Sequence, residues 1–504
     1  NRSTVMGRFR LAAAVVALGL VGQLGLGSTP AQATTSAVPY DFDGDGQPDL
    51  VVGAPLLDVA GHHDAGAVAV LAPSTRTVPR HAAVLTQSTR RVVGSSRNGD
   101  HFGSAVVSAD FDGDGYADLA VGHPDEHAAG AADAGAITIL YGSARGLTGT
   151  RSAEVTEPGG THAGARFGAA LAAIDLDRDG HPDLAVGAPG DAVESSGTDQ
   201  GSGSVTILRG AAAGVTTNGS VTLHGLVGTS QAPDVGFGTA FAVADLDGRA
   251  GPDLVVLSSG HGGAVPDGDG TLSYCTTGTT TSIGCTRLIQ FPAGPTQVVV
   301  GKFFDFNDRP EALGPQVVVG GSPGDGSVTV LQIGRSRTRP AYVLDGRNIN
   351  PGGLGLPAVP GVPERFGASL AAGDVTGDGY DDLVVGAPGG GAGGRSAGRV
   401  YVIPGSDRYL DPTRLVAYDQ DTPGVPGRAE DGDQFGASVA LVDRNRDGKA
   451  DLVVGSPGED HGRGRVTVLR GTGTGFTTTG AGAFSLATYG NRQRSTGFGS
   501  VLAG

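Results

Sequence analysis

One acidic pattern recurs along the chain, D-x-D-x-D-G-x-x-D. Three copies are complete: Asp41, Asp43, Asp45 and Asp49; Asp110, Asp112, Asp114 and Asp118; Asp175, Asp177, Asp179 and Asp183. Carboxylates at positions 1, 3 and 5 alternate, so a tight loop can turn all three inward. Glycine at position 6 permits the sharp turn. The residue at position 7 (Gln47, Tyr116, His181) can offer its carbonyl, and the aspartate at position 9 closes the shell. An oxygen-rich, flexible cage of this kind suits Ca²⁺. Four carboxylates held so close repel one another unless a cation sits among them. Two further copies carry a neutral residue at position 3: Asp374, Thr376, Asp378, Tyr380 and Asp382, then Asp443, Asn445, Asp447, Lys449 and Asp451. Two copies are degenerate. Asp245-Leu-Asp247-Gly-Arg249 puts a guanidinium at position 5, and Asp305-Phe-Asn307-Asp308-Arg309-Pro310 has lost the glycine and the spacing. The expectation is about five structural Ca²⁺ ions. The competing account is a turn rich in Asp and Gly for turn chemistry alone.

The elements that hold these loops also repeat. The loops begin at 41, 110, 175, 245, 305, 374 and 443, in steps of 69, 65, 70, 60, 69 and 69 residues. A Phe-Gly pair stands eight residues before the first aspartate in five of them: Phe102-Gly103, Phe167-Gly168, Phe237-Gly238, Phe366-Gly367 and Phe435-Gly436. An apolar run follows each loop, as in Asp183-Leu-Ala-Val-Gly-Ala-Pro189. A third follows later, as in Val205-Thr-Ile-Leu208 or Val466-Thr-Val-Leu469. Short alternating strands between Gly-rich turns make an all-β array. Four strands per unit and seven units imply a seven-bladed β-propeller, which leaves only short, protected sheet edges.

The first repeat has no Phe-Gly strand, whereas the chain ends on a surplus one, Phe498-Gly-Ser-Val-Leu-Ala-Gly504. The missing and surplus pieces match. The C-terminal strand is therefore expected to pair with the N-terminal blade and close the ring.

The Phe-Gly pair, the acidic loop and Gly-Ala-Pro at 53–55, 187–189 and 386–388 resemble the FG-GAP repeat of integrin α-subunit head domains, including exported bacterial relatives. Gly122-His-Pro124, Gly321-Ser-Pro323 and Gly455-Ser-Pro457 are variants of the third element. The resemblance implies a seven-bladed propeller with calcium in the loops of one face and protein partners on the other.

Composition agrees with many turns and a buried core: Gly is 90 of 504 residues and 38% of the chain is hydrophobic. The net charge is −16 and only Lys302 and Lys449 are lysines, so no basic face is available for nucleic acid. Arg8 and Arg10, the apolar run Leu11–Leu26 and Ala31-Gln-Ala33 describe a secretory signal peptide, residues 1–33, with Met6 as the start. The run is too short to span a membrane. Residues 34–504 are expected to form one secreted, monomeric propeller. In an exported chain Cys275 and Cys285 read as a hairpin-closing disulfide; the other reading is two free thiols.

The function expected is a secreted, calcium-binding scaffold for adhesion to an extracellular protein or surface ligand. The alternative is an extracellular hydrolase or lyase on the propeller axis. Its candidates are His123, Asp125, Glu126 and His127, with His62, His63 and Asp64 in the same place one repeat earlier; a solvated loop is the plainer account of both groups. Gly320-Gly-Ser322-Pro-Gly324 matches G-x-S-x-G, but Pro323 has no N–H for an oxyanion hole. Leu57-Asp58-Val59 resembles an adhesion tripeptide, and Asn218-Gly-Ser220 is a glycosylation sequon. The absence of Trp weighs against a carbohydrate-binding surface.

Overall fold

A computed structural model describes residues 37–504 except 75–76, 80, 192–202, 226–235, 247, 249–250, 261–269, 280–281, 292–293, 306–313, 322–325, 337–338, 355–362, 393 and 494. The expected signal peptide, Ser322-Pro323-Gly324, Asp247, Arg249 and 307–310 lie outside the described residues.

Among the described residues the strands form seven four-stranded antiparallel sheets, together with a small hairpin at 391–396. Blade 2 shows the plan. Its strands are Ala105–Ala109, Asp118–His123, Ala136–Leu140 and Ser152–Val155, each paired with the next. The acidic loop joins the first strand to the second, and the Gly-x-Pro element ends the second. The acidic loops therefore lie at one end of the sheets, and the connections from second to third strand at the other. The first strands of neighbouring blades contact each other all the way round, from Ala105–Ala109 through Ala170–Ile174, Phe237–Ala244, Gln297–Gly301, Ser369–Gly373 and Ser438–Val442 to Val501–Ala503 and back. This is the expected seven-bladed propeller.

The ring closes as the register required. Val501–Ala503 pairs with Leu50–Ala54, with Leu502 opposite Val52. It supplies the first strand of blade 1, whose other strands are Ala67–Leu71 and Ala83–Leu85.

Sequence explains the joints. The second strand of each blade is apolar on both sides, as in Leu50–Ala54 and Asp253–Ser258, because it is covered by a blade on each face. The apolar core is divided into seven main clusters, one at each joint. Phe102, fully buried, packs with Val51, Val68 and Leu85 of blade 1 and Leu119 and Val121 of blade 2. Truncating such a phenylalanine costs about 3–5 kcal/mol. The glycine beside it has a different task. Gly103 has φ +94°, and its N–H donates to the carbonyl of Gly122 in its own blade at 3.1 Å. Its own carbonyl abuts Gly53 of the preceding blade so closely that a Cβ on Gly53 would lie 2.5 Å from it. Glycines at both places let adjacent blades approach backbone to backbone.

Cys275 and Cys285 form the disulfide, facing each other across the paired strands Gly270–Thr279 and Ser282–Phe291 of blade 4. Among the described residues no helix is long and apolar enough to cross a membrane.

Candidate metal-binding loops

The five well-formed loops share one backbone. In blade 1 the carboxylate of Asp41 accepts the N–H groups of Asp45 at 2.9 Å and Gly46 at 2.8 Å, while Asp43 accepts from Asp45 at 3.1 Å. Asp45 accepts from Gln47 at 3.0 Å. Asp110, Asp112 and Asp114 repeat this in blade 2. The loops at Asp374 and Asp443 keep the bonds of the first and fifth positions, and the loop at Asp175 keeps most of them. Position 6 takes a positive φ, as expected. Position 4 does so too, at Gly44, Gly113, Arg178, Gly377 and Arg446, which the pattern alone did not show.

Three loops gather three carboxylates: Asp41, Asp43 and Asp45; Asp110, Asp112 and Asp118; Asp175, Asp177 and Asp179. In each set one ligand atom per residue lies within 4.8 Å of the others. The loops of blades 6 and 7 bring no third acid to that distance. Their third positions are Thr376 and Asn445, and Asn445 Oδ1 is buried with no hydrogen-bond partner among the described residues. Asp175 Oδ1 is left in the same condition. Unpartnered buried oxygens in an all-oxygen donor set fit a hard cation such as Ca²⁺.

The ninth aspartate does more than close a shell. Asp118 accepts from the N–H of Phe111 at 3.0 Å and from Gly142, after the third strand, at 2.9 Å. Asp183 and Asp382 make the same two ties, to Leu176 and Gly210 and to Val375 and Gly405. Blade 4 keeps the first tie, Leu246 N–H to Asp253, although its loop has degenerated. In blade 5 the amide of Gln316 takes over, accepting from Phe303 at 2.7 Å. This position therefore staples the loop to the sheet whether or not an ion can bind. Burial pushes the carboxyl of Asp49 up to about 7, with repulsion from Asp43 adding to it. Burial likewise raises Asp118 to about 8 and Asp183 to about 6.

Arginines lean on the acids. Arg151 pairs with Asp112, and Arg446 of the blade 7 loop reaches Asp45 of blade 1. Arg209 contacts Asp183 at 2.8 Å. The side chain at position 7 packs on the preceding loop: a Cβ on Gly44 would meet Tyr116, and one on Gly113 would meet His181. Tyr380 donates to Asp305 at 2.8 Å.

At the opposite end of the sheets His123 and Glu126 do not stand in a solvated loop. His123 ends a strand and is fully buried, in the place Ala188 takes in blade 3. Its Nδ1 lies 3.2 Å from Glu126 and its Nε2 3.0 Å from Thr138. Glu126 is also buried and bound by Gln87 and Arg97. Asp125 joins His101 at 2.6 Å to Arg166 at 3.0 Å, across the joint of blades 2 and 3. His127, His62 and His63 are exposed, with His63 3.2 Å from Asp58. His62, His63, Asp64, Asp125, Glu126 and His127 lie between second and third strands, and His123 ends a second strand, so none of them stands on the innermost strand of its blade. Leu57 is buried, so the tripeptide at 57–59 is not displayed whole. Asn218 is exposed on the outer strand of blade 3.

The family model of the FG-GAP repeat matches residues 33–71, 102–140, 167–208, 366–403 and 435–469. The chain carries FG-GAP repeats. The five matches fall on the blades with well-formed loops, 1, 2, 3, 6 and 7, and each covers a loop and the second and third strands that follow it. Among curated proteins, the phosphatidylinositol-glycan-specific phospholipase D of Rattus norvegicus is 40% identical over 116 residues, 22% of this chain and 14% of that protein. Integrin alpha-IIb of Homo sapiens is 36% identical over 161 residues, 31% of this chain and 14% of that one. Integrin alpha-8 of Mus musculus is 30% identical over 233 residues, 45% of this chain and 20% of its own length. The FG-GAP stretch thus spans about a fifth or less of these relatives. Among solved structures, the periplasmic gluconolactonase PpgL of Pseudomonas aeruginosa overlaps 85% of this chain and 93% of its own at 12% identity and a TM-score of 0.40, a likeness too loose to inform function.

Proposed function

We propose that this FG-GAP propeller is a secreted, calcium-stabilised scaffold that binds an extracellular protein or surface ligand. The observation that carries the reading is the convergence of three carboxylates in each of three loops, on a backbone shared by five. Asp41, Asp43, Asp45 and Asp49 would hold one ion, with the Gln47 carbonyl. The corresponding residues of the loops at 110, 175, 374 and 443 would hold four more. The ion supplies positive charge that the loops lack, and each site at 100-fold saturation adds about 2.7 kcal/mol to the fold. Millimolar extracellular calcium suits sites of this class, and the Cys275–Cys285 bridge suits an oxidising compartment. Integrin relatives support a role in binding protein ligands, and the engaged surface would be the face opposite the loops.

The test is retention of individual purified extracellular proteins by immobilised chain, in Ca²⁺ and in EGTA, beside turnover assays on polysaccharides, esters and phosphoesters. The reading expects a retained partner and no turnover. Turnover without a partner would replace it with an extracellular enzyme.

A further inference from the structure

Three joints between blades carry the same pair of positions. Two residues beyond the fourth strand stand Gln87, Glu157 and Gln420; four residues beyond the Gly of the Gly-x-Pro element stand Glu126, Asp191 and Glu459. At two joints the pair is an amide on a carboxylate: Gln87 Nε2 donates to Glu126 at 2.9 Å, and Gln420 donates to Glu459. There an arginine neutralises the acid, Arg97 at 2.9 Å from Glu126 and Arg465 at 2.8 Å from Glu459. The joint of blades 2 and 3 differs at both places. Glu157 replaces the glutamine. His162 stands five residues before its Phe-Gly pair, as Arg97 does before Phe102, and lies 2.9 Å from Asp191.

The result is two buried carboxylates with no arginine paired to either among the described residues. Glu157 is 7% exposed and Asp191 3%. Ser204 donates to Glu157 Oε1 at 3.2 Å, whereas Oε2 is buried and has no hydrogen-bond partner among the described residues. Ligand atoms of Glu157, His162 and Asp191 lie within 4.8 Å of one another, close to the span one ion bridges with bonds of about 2.0–2.2 Å. The His162 side chain is 55% exposed, so one side of the cluster is open to solvent.

We propose that Glu157, His162 and Asp191 form a second kind of metal site, at the sheet ends opposite the acidic loops, which takes a borderline divalent transition ion of the Zn²⁺ class. An imidazole in the donor set selects such an ion over Ca²⁺, which prefers oxygen throughout. Three protein ligands and an open side are the arrangement of a site that keeps a position for water or an incoming ligand. At the other two joints the pair is an amide and a carboxylate with an arginine on the acid, and the oxygens left without a hydrogen-bond partner among the described residues, Gln87 Oε1 and Gln420 Oε1, belong to neutral amides and not to a second carboxylate.

The test uses the full chain with its loops saturated by Ca²⁺ and titrates Zn²⁺ by calorimetry. One Zn²⁺ per chain is expected. Glu157→Gln restores the amide of the other joints, and the double variant Glu157→Gln, His162→Arg reproduces the arrangement of Gln87, Glu126 and Arg97 at the joint of blades 1 and 2, so both should fold. His162→Ala alters a half-exposed ring and serves as a further variant. Each should weaken Zn²⁺ by at least the ~10–100-fold that loss of an outer-shell partner costs, with Ca²⁺ binding unchanged. No Zn²⁺ bound by the native chain, or Zn²⁺ bound equally by the double variant, would overturn the assignment.

Discussion

The backbone N–H of Gly499 donates to the carbonyl of Gly53 at 3.1 Å, joining the C-terminal strand to the first blade. It is the bond that Gly103 makes to Gly122 and Gly168 to Gly187 inside a continuous blade. The seam is therefore built like any other blade, and the last eight residues are part of the ring.

Gly499 has φ +87°, and a Cβ there would lie 2.9 Å from the Arg465 carbonyl. Gly499→Val is expected to cost about 2–4 kcal/mol through crowding and backbone strain. Gly284→Ala, where a Cβ meets nothing within 4 Å, should change little. Urea midpoints of the two variants check this, and equal midpoints would mean that the seam is not closed.

The ion-free protein should lose stability as pH rises. Asp49, Asp118 and Asp183 hold their protons up to about 7, 8 and 6 in the fold, above the ordinary aspartate value of 3.8. The fold thus binds protons that the unfolded chain releases. Their contribution is complete below about pH 4 and is lost as pH rises through about 8. On the proposed function, calcium bound to the deprotonated loops would remove the loss. Urea midpoints at pH 5 and pH 8 are expected to fall without the ion and to hold with it. A midpoint independent of pH in the ion-free protein would contradict this.

His123→Ala should act on stability. The ring is fully buried between Glu126 and Thr138, and removing it leaves a cavity and a buried carboxylate short of a partner. A loss of about 2–4 kcal/mol is expected. His62→Ala and His63→Ala, both exposed, should stay within about 0.5 kcal/mol of the native chain. Chemical denaturation of all three distinguishes a core histidine from a surface one.

Arg444 predicts a gain. It occupies the second position of its acidic loop, where other blades bury Phe42, Phe111, Leu176, Leu246 and Val375. The side chain is 2% exposed, and its Nε and Nη1 have no hydrogen-bond partner among the described residues. Burial draws its guanidinium down to about 10. Arg444→Leu should raise stability by about 1–4 kcal/mol in the presence of calcium. A fall in the denaturation midpoint would show that the arginine is needed where it stands.

Much of the ring was legible in the sequence because its signals are periodic. The eight-residue step from Phe-Gly to aspartate and the surplus Phe498 determine blade number and closure, since both follow from register. The loop backbone was legible because the alternating aspartates and the glycine at position 6 mark a tight turn. His123 was misread because the Gly-x-Pro element looks like a loop; its register with Ala54 and Ala188, both buried strand ends, was the available signal. The cluster of Glu157, His162 and Asp191 left no local pattern. It arises where two blades meet, and only comparison with Gln87 and Arg97 at the neighbouring joint marks it. Gln316 was hidden for a related reason: an amide stands where the other blades carry an aspartate, in a repeat that lacks the spacing.

The most direct measurement is calorimetric Ca²⁺ titration of the ion-free protein, with thermal unfolding followed at each step. The account predicts about five ions per chain and a large rise in melting temperature, with Asp110→Ala removing one ion. No ion bound, with identical melting in calcium and in EGTA, would mean that the aspartate loops are turns alone and would contradict the account.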